Sequence, residues 1–234
     1  MQDRYAGDVG DFGKFAVLRA LVGDRRLGVC WYRCSGAGEQ NNDGRHVAYL
    51  DRPELYRHLD PRAFDAMRDV VRTGRSLAAL ERCDLLPGAA YHGEEVPRGT
   101  ARTAWFTGLA RTVAPCDLVF TDADNGFEWS TLSPKCVARA EARALRRRGR
   151  ALLLYHHQTR RAGGAAADFG HFARWLFDIG ARTVEGVRLR PYSSRFYLLV
   201  DGDAALSKNL RTFARRWGDA AEHFPRVTAG RGTR

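Results

Sequence analysis

The chain has 234 residues, of which 44% are hydrophobic and 28% are charged, and its formal net charge is +11. This length accommodates one well-buried α/β domain, and the composition excludes an intrinsically disordered chain. No apolar stretch approaches the roughly 20 residues that span a bilayer, and the N-terminus lacks the apolar core of a signal peptide. The five cysteines are odd in number and form no Cys-x-x-Cys pair. We therefore expect a cytoplasmic protein with reduced thiols, no structural zinc site and no membrane segment.

The basic charge has two explanations, and the sequence leaves both open. The chain contains 35 arginines and only three lysines. A GC-rich genome favours arginine over lysine in proteins of any fold. A basic surface also binds nucleic acid, because it releases the counterions of the phosphates. The arginines concentrate at residues 143–150, 160–161 and 211–216. A nucleic-acid substrate or partner is thus one of the two explanations.

The first predicted element is a short helix that ends near residue 22, with Asp11 as its N-cap. Lys14 then lies in the first turn, where a cation opposes the helix dipole. This position indicates a specific partner, such as a bound anion or Asp122, although a solvated lysine is the alternative. Glycines at positions 7, 10 and 13 permit close approach of the backbone.

Two strands and a glycine-rich loop are predicted next. Residues 27–32 form the first strand, and the loop after it contains Gly36 and Gly38, whose backbone amides can hold a cofactor. Residues 46–50 are predicted as the second strand, which ends at Asp51, where nucleotide-binding folds often hold a ribose. Residues 53–115 are mostly helical, with a possible strand at 89–92, and are predicted to be a scaffold or substrate-recognition region.

The most informative segment is 117–126, an apolar run that ends in two carboxylates, an amide and a glycine. An apolar run of this kind is typical of a parallel strand that is buried on both faces. Ligands of open α/β sheets bind beyond the carboxyl ends of such strands. Asp122, Asp124 and Asn125 are therefore predicted to form the core of an active site. A simple turn is the alternative, because Asn-Gly is a common turn pair.

The C-terminal half continues the alternation of helices and strands. A helix is predicted from Ser133-Pro134 to about residue 149, then a strand at 151–155 that ends in His156 and His157. The imidazoles titrate near neutral pH and could receive a proton, although one of them packing in the core is the alternative. Asp168 is predicted to cap the next helix, which ends near residue 180.

Two further strands, 183–189 and 196–200, are predicted to form an antiparallel hairpin, followed by a helix at 205–217. The fold class is therefore α/β, with a mainly parallel Rossmann-like sheet flanked by helices in a single domain over residues 1–234. Residues 53–115 form a helical insertion in this scheme, and residues 226–234 form a frayed basic tail.

Four motifs occur in a recognisable order: Phe12-Gly13-Lys14, Ser-Gly-Ala-Gly at 35–38, Asp51, and Asp-Ala-Asp-Asn at 122–125. Together they resemble the S-adenosylmethionine-dependent methyltransferases, and most closely those that methylate an amino group of adenine or cytosine in nucleic acid. The resemblance covers about residues 1–60 and 117–200. The fourth motif lacks the two prolines of the family pattern, and it has Asn125 where the family has an aromatic residue that stacks on the target base.

This resemblance implies a methyltransferase-type sheet, with S-adenosylmethionine held by Gly36, Gly38 and Asp51. The remaining implied roles are catalytic or substrate-binding. Asp122 would accept a hydrogen bond from the nucleophilic nitrogen or oxygen, and Asn125 would orient that atom. His156 and His157 could receive its proton, and Asp124 and Lys14 would complete the catalytic set. Arg195 and Phe127 would contact the substrate. The first and fourth motifs, taken as a pair, also resemble an uncharacterised bacterial family. Its members have Asp-Pro-Asp-Asn-Gly where this chain has its fourth motif. This likeness implies no activity.

Two other functions remain open. A nuclease or phosphodiesterase would bind Mg²⁺ or Mn²⁺ through Asp8, Asp11, Asp122, Asp124 and His157, and Lys14 would stabilise the phosphate. A non-catalytic nucleic-acid-binding protein would use the basic surface alone.

Overall fold

The computed structural model describes residues 1–34, 46–129, 131–159, 161–192 and 194–230. Seven strands form one sheet at its centre. The strands are β1 (Leu27–Trp31), β2 (Ala90–His92), β3 (Leu118–Asp122), β4 (Ala151–His157), β5 (Thr183–Leu189), β6 (Arg195–Val200) and β7 (Ala221–Thr228). The helices are α1 (Val9–Val22), α2 (Pro53–Tyr56), α3 (Pro61–Thr73), α4 (Leu77–Arg82), α5 (Ala101–Thr112), α6 (Arg139–Leu145), α7 (Gly164–Asp178) and α8 (Ala204–Trp217). No helix in these described ranges is long and apolar enough to cross a membrane.

The sheet has the strand order β2-β1-β3-β4-β6-β5-β7. Strands β1 to β5 run in one direction, and β6 and β7 run in the other. The predicted adjacency of β3 and β4 is confirmed, because Leu118 pairs with Ala151 in a parallel register. The predicted hairpin of β5 and β6 is also confirmed, although β6 lies inside the sheet, between β4 and β5. The predicted α/β fold with a Rossmann-like sheet in a single domain is therefore correct.

Helices cover both faces of the sheet, because the strands alternate apolar residues toward two separate cores. One core lies under α1, α3, α4 and α8 and includes Phe120 and Tyr155. The other lies under α5, α6 and α7 and includes Val119 and Leu154. A strand that is buried on both faces has no polar side, which explains the continuous apolar runs in the sequence.

Helix α1 begins three residues earlier than predicted, with Asp8 rather than Asp11 as its N-cap. The Asp8 carboxylate accepts hydrogen bonds from the backbone N–H groups of Gly10 and Asp11, at 2.8 and 3.0 Å. Asp11 therefore lies inside the first turn, and Lys14 lies one turn further along. The N-cap prediction was wrong because both aspartates satisfy the same local rule.

Four other boundaries differ from the prediction. Residues 46–50 do not form a strand, because Ala48–Asp51 is a 3₁₀ helix from which Tyr49 packs into the core. The helix predicted from Ser133 begins only at Arg139. Asp168 does not cap α7, because it lies within this helix and its carboxylate accepts hydrogen bonds from Thr159. The predicted basic tail is wrong at its start, since residues 226–228 belong to β7.

Candidate functional site

A cavity of about 400 Å³ lies at the carboxyl ends of the parallel strands. Its walls come from the start of α1, the end of β3 and the loop after it, the end of β4 and the start of β6. The described residues that line it are Met1, Tyr5, Asp8, Gly10, Asp11, Lys14, His46, Asp122, Asp124, Asn125, Lys135, Tyr155, His157, Tyr192 and Arg195. Carboxylates and cations therefore meet in one space.

Lys14 has the partner that its position in α1 predicts. Its ammonium lies 2.7 Å from the Asp122 carboxylate and 2.5 Å from the Asp11 carboxylate, and only 4% of the residue is exposed. Burial acts to lower the pKa of Lys14, but the charges of Asp11 and Asp122 outweigh it and hold this pKa well above its usual value. Lys14 therefore remains a cation and does not act as a nucleophilic amine.

The two carboxylates bonded to Lys14 come from different elements. Asp11 also accepts a hydrogen bond from the backbone N–H of Gly7, at 3.0 Å. Burial raises the pKa of Asp11 to about 6, even though Lys14 acts in the opposite direction. Asp122 is the last residue of β3, and its Oδ2 contacts Lys14. The ion pairs thus join helix α1 to the edge of the sheet.

Asp124 has a different role from Asp122, because both of its oxygens are engaged. Oδ1 lies 2.7 Å from the amino group of Met1, and Oδ2 accepts from the Gln2 amide at 3.2 Å and from Cys34 Sγ at 3.3 Å. Burial acts to raise the pKa of Asp124, but the charge and hydrogen bond of that amino group lower it overall. Asp124 therefore ties the first residues to the loop after β3, and Asp122 and Asp124 are each paired with a separate cation.

Arg195, Tyr155 and His157 form a connected polar row beside the carboxylates. The Tyr155 hydroxyl lies 2.8 Å from His157 Nε2 and bonds the Arg195 guanidinium. Burial raises the pKa of Tyr155, so the hydroxyl stays protonated. The pKa of His157 is lowered by burial of its ring at the cavity and by the charge of Arg195, so this imidazole is neutral near pH 7. It can accept a proton there.

Gly10 explains why Arg195 reaches this position. A Cβ atom on Gly10 would lie only 3.0 Å from Arg195 Nε. The absence of a side chain at the second residue of α1 therefore lets the guanidinium lie against the helix. Arg195 is 8% exposed, and burial acts to lower its pKa, but Tyr155 and Asp8 raise it overall.

His156 points away from the cavity, because neighbouring residues of a strand face opposite sides of the sheet. Its Nδ1 lies 2.6 Å from the His157 carbonyl oxygen, and its Nε2 accepts a hydrogen bond of 3.2 Å from the Trp129 indole. Burial lowers the pKa of His156 to about 4. This imidazole is therefore neutral, fully bonded and unsuited to the catalytic role predicted for it.

We call the aromatic group around this histidine the Trp129 cluster: Phe127, Trp129, His156, His171, Phe172 and Trp175. Phe127 is 1% exposed and stacks on Trp175 with ring centroids 4.5 Å apart. The structure thus places Phe127 in the core and not at the cavity, so it cannot contact a substrate as predicted.

The cofactor residues predicted from the sequence are not assembled by the described structure. Asp51 is exposed and lies in the 3₁₀ helix after residue 47, not at a strand end. Gly36 and Gly38 lie outside the described residues. Cys34, the last described residue before them, contacts Asp124 through its sulfur at 3.3 Å.

Sequence reasoning missed several aromatic and basic residues of the cavity, among them Tyr155, Tyr192 and Lys135. Tyr155 could have been found, because it precedes His157 by two positions and shares its side of β4. Lys135 could not, because a backbone hydrogen bond from the Asn125 N–H to the Lys135 carbonyl, at 2.8 Å, holds its segment beside the site. Tyr192 stacks on His46 from a distant part of the chain.

The predicted metal ligands do not form a metal-binding group in the described residues. No set of three or more His, Cys, Asp or Glu side chains within these ranges is arranged to hold a metal ion. Lys14 lies between Asp11 and Asp122, and Asp8 caps α1. The carboxylates that converge here are thus paired with an ammonium group and with backbone N–H groups.

Two of the arginines at residues 143–150 are used inside the protein. Arg146 donates to the Ile179 carbonyl at 2.9 Å and pairs with Asp201. Arg150 is 7% exposed and donates to the carbonyl oxygens of Val113, Ala114, Cys116 and Leu145. These two guanidinium groups therefore bond to the chain itself and do not form a phosphate-binding surface.

Comparison with known proteins finds no protein-family model and no curated protein that matches this chain.

Proposed function

We propose that this protein is a cytoplasmic S-adenosylmethionine-dependent methyltransferase that acts on nucleic acid or a nucleotide-like substrate. The observation that carries the proposal is the position of the cavity. Strand β1 has β2 on one side and β3 on the other, so the chain reverses its direction of winding at β1. The carboxyl ends of the strands at such a reversal are where open α/β sheets bind nucleotide-like ligands. The cavity borders this reversal, because the carboxyl end of β3, the strand next to β1, forms part of its wall.

The charges of the cavity fit the proposed cofactor. S-adenosylmethionine has a carboxylate, an ammonium group and a sulfonium, and the cavity offers Arg195 and Lys135 as cations beside Asp8 and Asp122 as anions. The volume of about 400 Å³ lies within the range of small-molecule sites. Because Asp51 does not line the cavity, we assign it no part in binding.

The chemistry that the bound cofactor supplies is an electrophilic methyl group, whose transfer leaves the bonding electron pair on sulfur. Asp122 accepts a hydrogen bond from the nucleophilic nitrogen or oxygen through the oxygen that does not face Lys14. Lys14 fixes the orientation of the Asp122 carboxylate through the 2.7 Å ion pair. His157 receives the proton that the nucleophile loses, and Tyr155 holds the imidazole in place. Positioning and fixed charges are the main contributions of the protein.

A metal-dependent nuclease is the second candidate that the sequence left open, but no described contact favours it over methyl transfer. The two functions respond differently to ligands, because binding to the native state raises the melting temperature. S-adenosylmethionine should stabilise the protein, whereas Mg²⁺ or Mn²⁺ should not. Stabilisation by the divalent ion alone would favour the nuclease.

The direct test is transfer of a radiolabelled methyl group to RNA and DNA. Asp122→Asn should abolish transfer, since the amide cannot act as the anionic hydrogen-bond acceptor. Asp117→Asn is a matched control, because Asp117 precedes the same strand at its opposite end and pairs with Arg26 at the surface. Equal turnover by Asp122→Asn and Asp117→Asn would contradict the assigned role.

A further inference from the structure

We propose that the Trp129 cluster is a stacking site for an unpaired base of a single-stranded nucleic acid, next to the cavity. This inference rests on the proposed function and deepens it, because it names the form of the substrate. It also gives roles to His156 and to the glycine of the motif at 122–126, which the proposed chemistry does not use.

Trp129 is an exposed aromatic residue on a rigid support. The residue is 39% exposed, and its ring stacks on the His171 ring at 4.4 Å, with 17° between the planes. Phe172 and Trp175 pack behind it. An exposed indole that is already fixed in place loses little side-chain entropy when a base stacks on it.

The support of Trp129 is built by two segments that the sequence analysis singled out, residues 122–126 and the histidine pair at 156–157. The Trp129 indole N–H donates to His156 Nε2 at 3.2 Å. Gly126 makes room for this histidine, because it has a φ of 68° and a Cβ atom there would lie 2.4 Å from His156 Cδ2. Asn125-Gly126 therefore does more than form a turn, since its glycine admits the ring that holds Trp129.

Two exposed arginines lie beside the His171 ring on which Trp129 stacks. Arg161 lies 3.0 Å from His171 Nε2, and the charge of Arg174 acts on His171, where it is opposed by the buried Asp168. A third, Arg139, lies over the Trp175 ring at 5.0 Å and is paired with Asp178 at 3.6 Å. Arginines beside an aromatic ring match the phosphate and the base of a nucleotide. This complementarity favours a nucleic acid over an apolar peptide as the occupant.

The cluster and the cavity share one edge of the sheet. Trp129 follows Asp124 by five residues on the loop after β3, and His156 precedes His157 at the end of β4. The cavity opens on one face of this edge and the cluster on the other. A strand that crosses the edge can thus place one nucleotide at the cavity and stack its neighbour on Trp129. Duplex bases are already stacked and cannot do this.

The test is the affinity of the protein, without cofactor, for a labelled single-stranded oligonucleotide measured by fluorescence anisotropy. The experiment has two arms, RNA and DNA of the same sequence. Each oligonucleotide is about 12 nucleotides long, which is on the order of one single-strand binding site. Trp129→Ala should raise Kd about tenfold, a typical cost of losing one stacked base. Trp129→Phe should keep most of the affinity. Leu55→Ala, at a remote residue that is 52% exposed, should change nothing.

A second measurement on the unaltered protein does not depend on the variants folding. Photo-crosslinking of an oligonucleotide that contains 5-iodouridine should label the peptide with Trp129. Equal Kd values for Trp129→Ala and Leu55→Ala, no salt-dependent binding of either single strand, or labelling confined to other peptides would each overturn the proposal. Because no cofactor is present, these outcomes are distinct from failure to bind S-adenosylmethionine or to transfer a methyl group.

Discussion

Removal of the Lys14 ammonium by Lys14→Met should destabilise the protein strongly. Two buried carboxylates lie 2.5 and 2.7 Å from this ammonium. At an effective dielectric constant of about 20, each pair attracts by about 6 kcal/mol, which is partly offset by the several kcal/mol needed to desolvate the ammonium. Breaking a buried pair by removing one partner typically costs about 3–5 kcal/mol. We expect a loss of this size at pH 7.

The assay is urea unfolding of the wild type, Lys14→Met and the control Lys208→Met. Lys208 is exposed, so its substitution should change the unfolding free energy by less than about 0.5 kcal/mol. A double variant, Lys14→Met with Asp11→Asn, should recover part of the loss, since one uncompensated carboxylate is then removed.

The loss should also depend on pH. Burial raises the pKa of Asp11 to about 6 when Lys14 is present, and removing the cation raises this pKa further. A group whose folded-state pKa is raised gains stability as the pH falls through that pKa. The deficit of Lys14→Met should therefore shrink between pH 7 and pH 5. A loss below about 1 kcal/mol at pH 7, the size of a surface ion pair, or a deficit that grows at low pH, would refute this reasoning.

Two further predictions concern the support of Trp129. Gly126→Ala should lower the unfolding free energy by well over the roughly 1–2 kcal/mol that a left-handed conformation costs alanine, because the new Cβ meets His156. The control Gly88→Ala has a φ of 74° with open space around it and should show the conformational cost alone; equal losses would contradict the assigned clash. His156→Asn should remove a pH dependence of stability, because the pKa of His156 falls from 6.5 to about 4 on folding. The unfolding free energy of the wild type should therefore fall by about 2 kcal/mol relative to that of the variant between pH 7 and pH 5. Above pH 7 the difference between the two proteins should not change. A difference that stays constant from pH 7 to pH 5 would show that His156 is not buried in its neutral form.

The sheet was predictable from the sequence because its strands are short apolar runs with distinct ends. Residues 118–121 and 151–155 contain almost no polar side chain, and both are strands that pair as expected. Residues 46–50 have a similar length, but only Tyr49 contributes to the core, and local hydrogen bonds form a 3₁₀ helix instead. Apolar content therefore predicted buried strands but not this helical turn.

The candidate site was predictable to the extent that strand ends locate it. Lys14, Asp122 and His157 meet at the cavity because α1 begins, and two neighbouring strands end, at the same edge of the sheet. The separate roles of Asp122 and Asp124 could not be predicted, because they depend on which cation each oxygen contacts. The opposite orientations of His156 and His157 follow from the alternation of a strand once its register is known.

The central claim is that the cavity at the carboxyl ends of β3 and β4 binds S-adenosylmethionine, and the most direct measurement is calorimetric titration with S-adenosylhomocysteine. We expect saturable binding of one ligand per chain, weakened by Arg195→Ala and unchanged by Asp117→Asn. No heat and no shift of the melting temperature at millimolar ligand would contradict the claim, as would equal affinity of Arg195→Ala and the wild type.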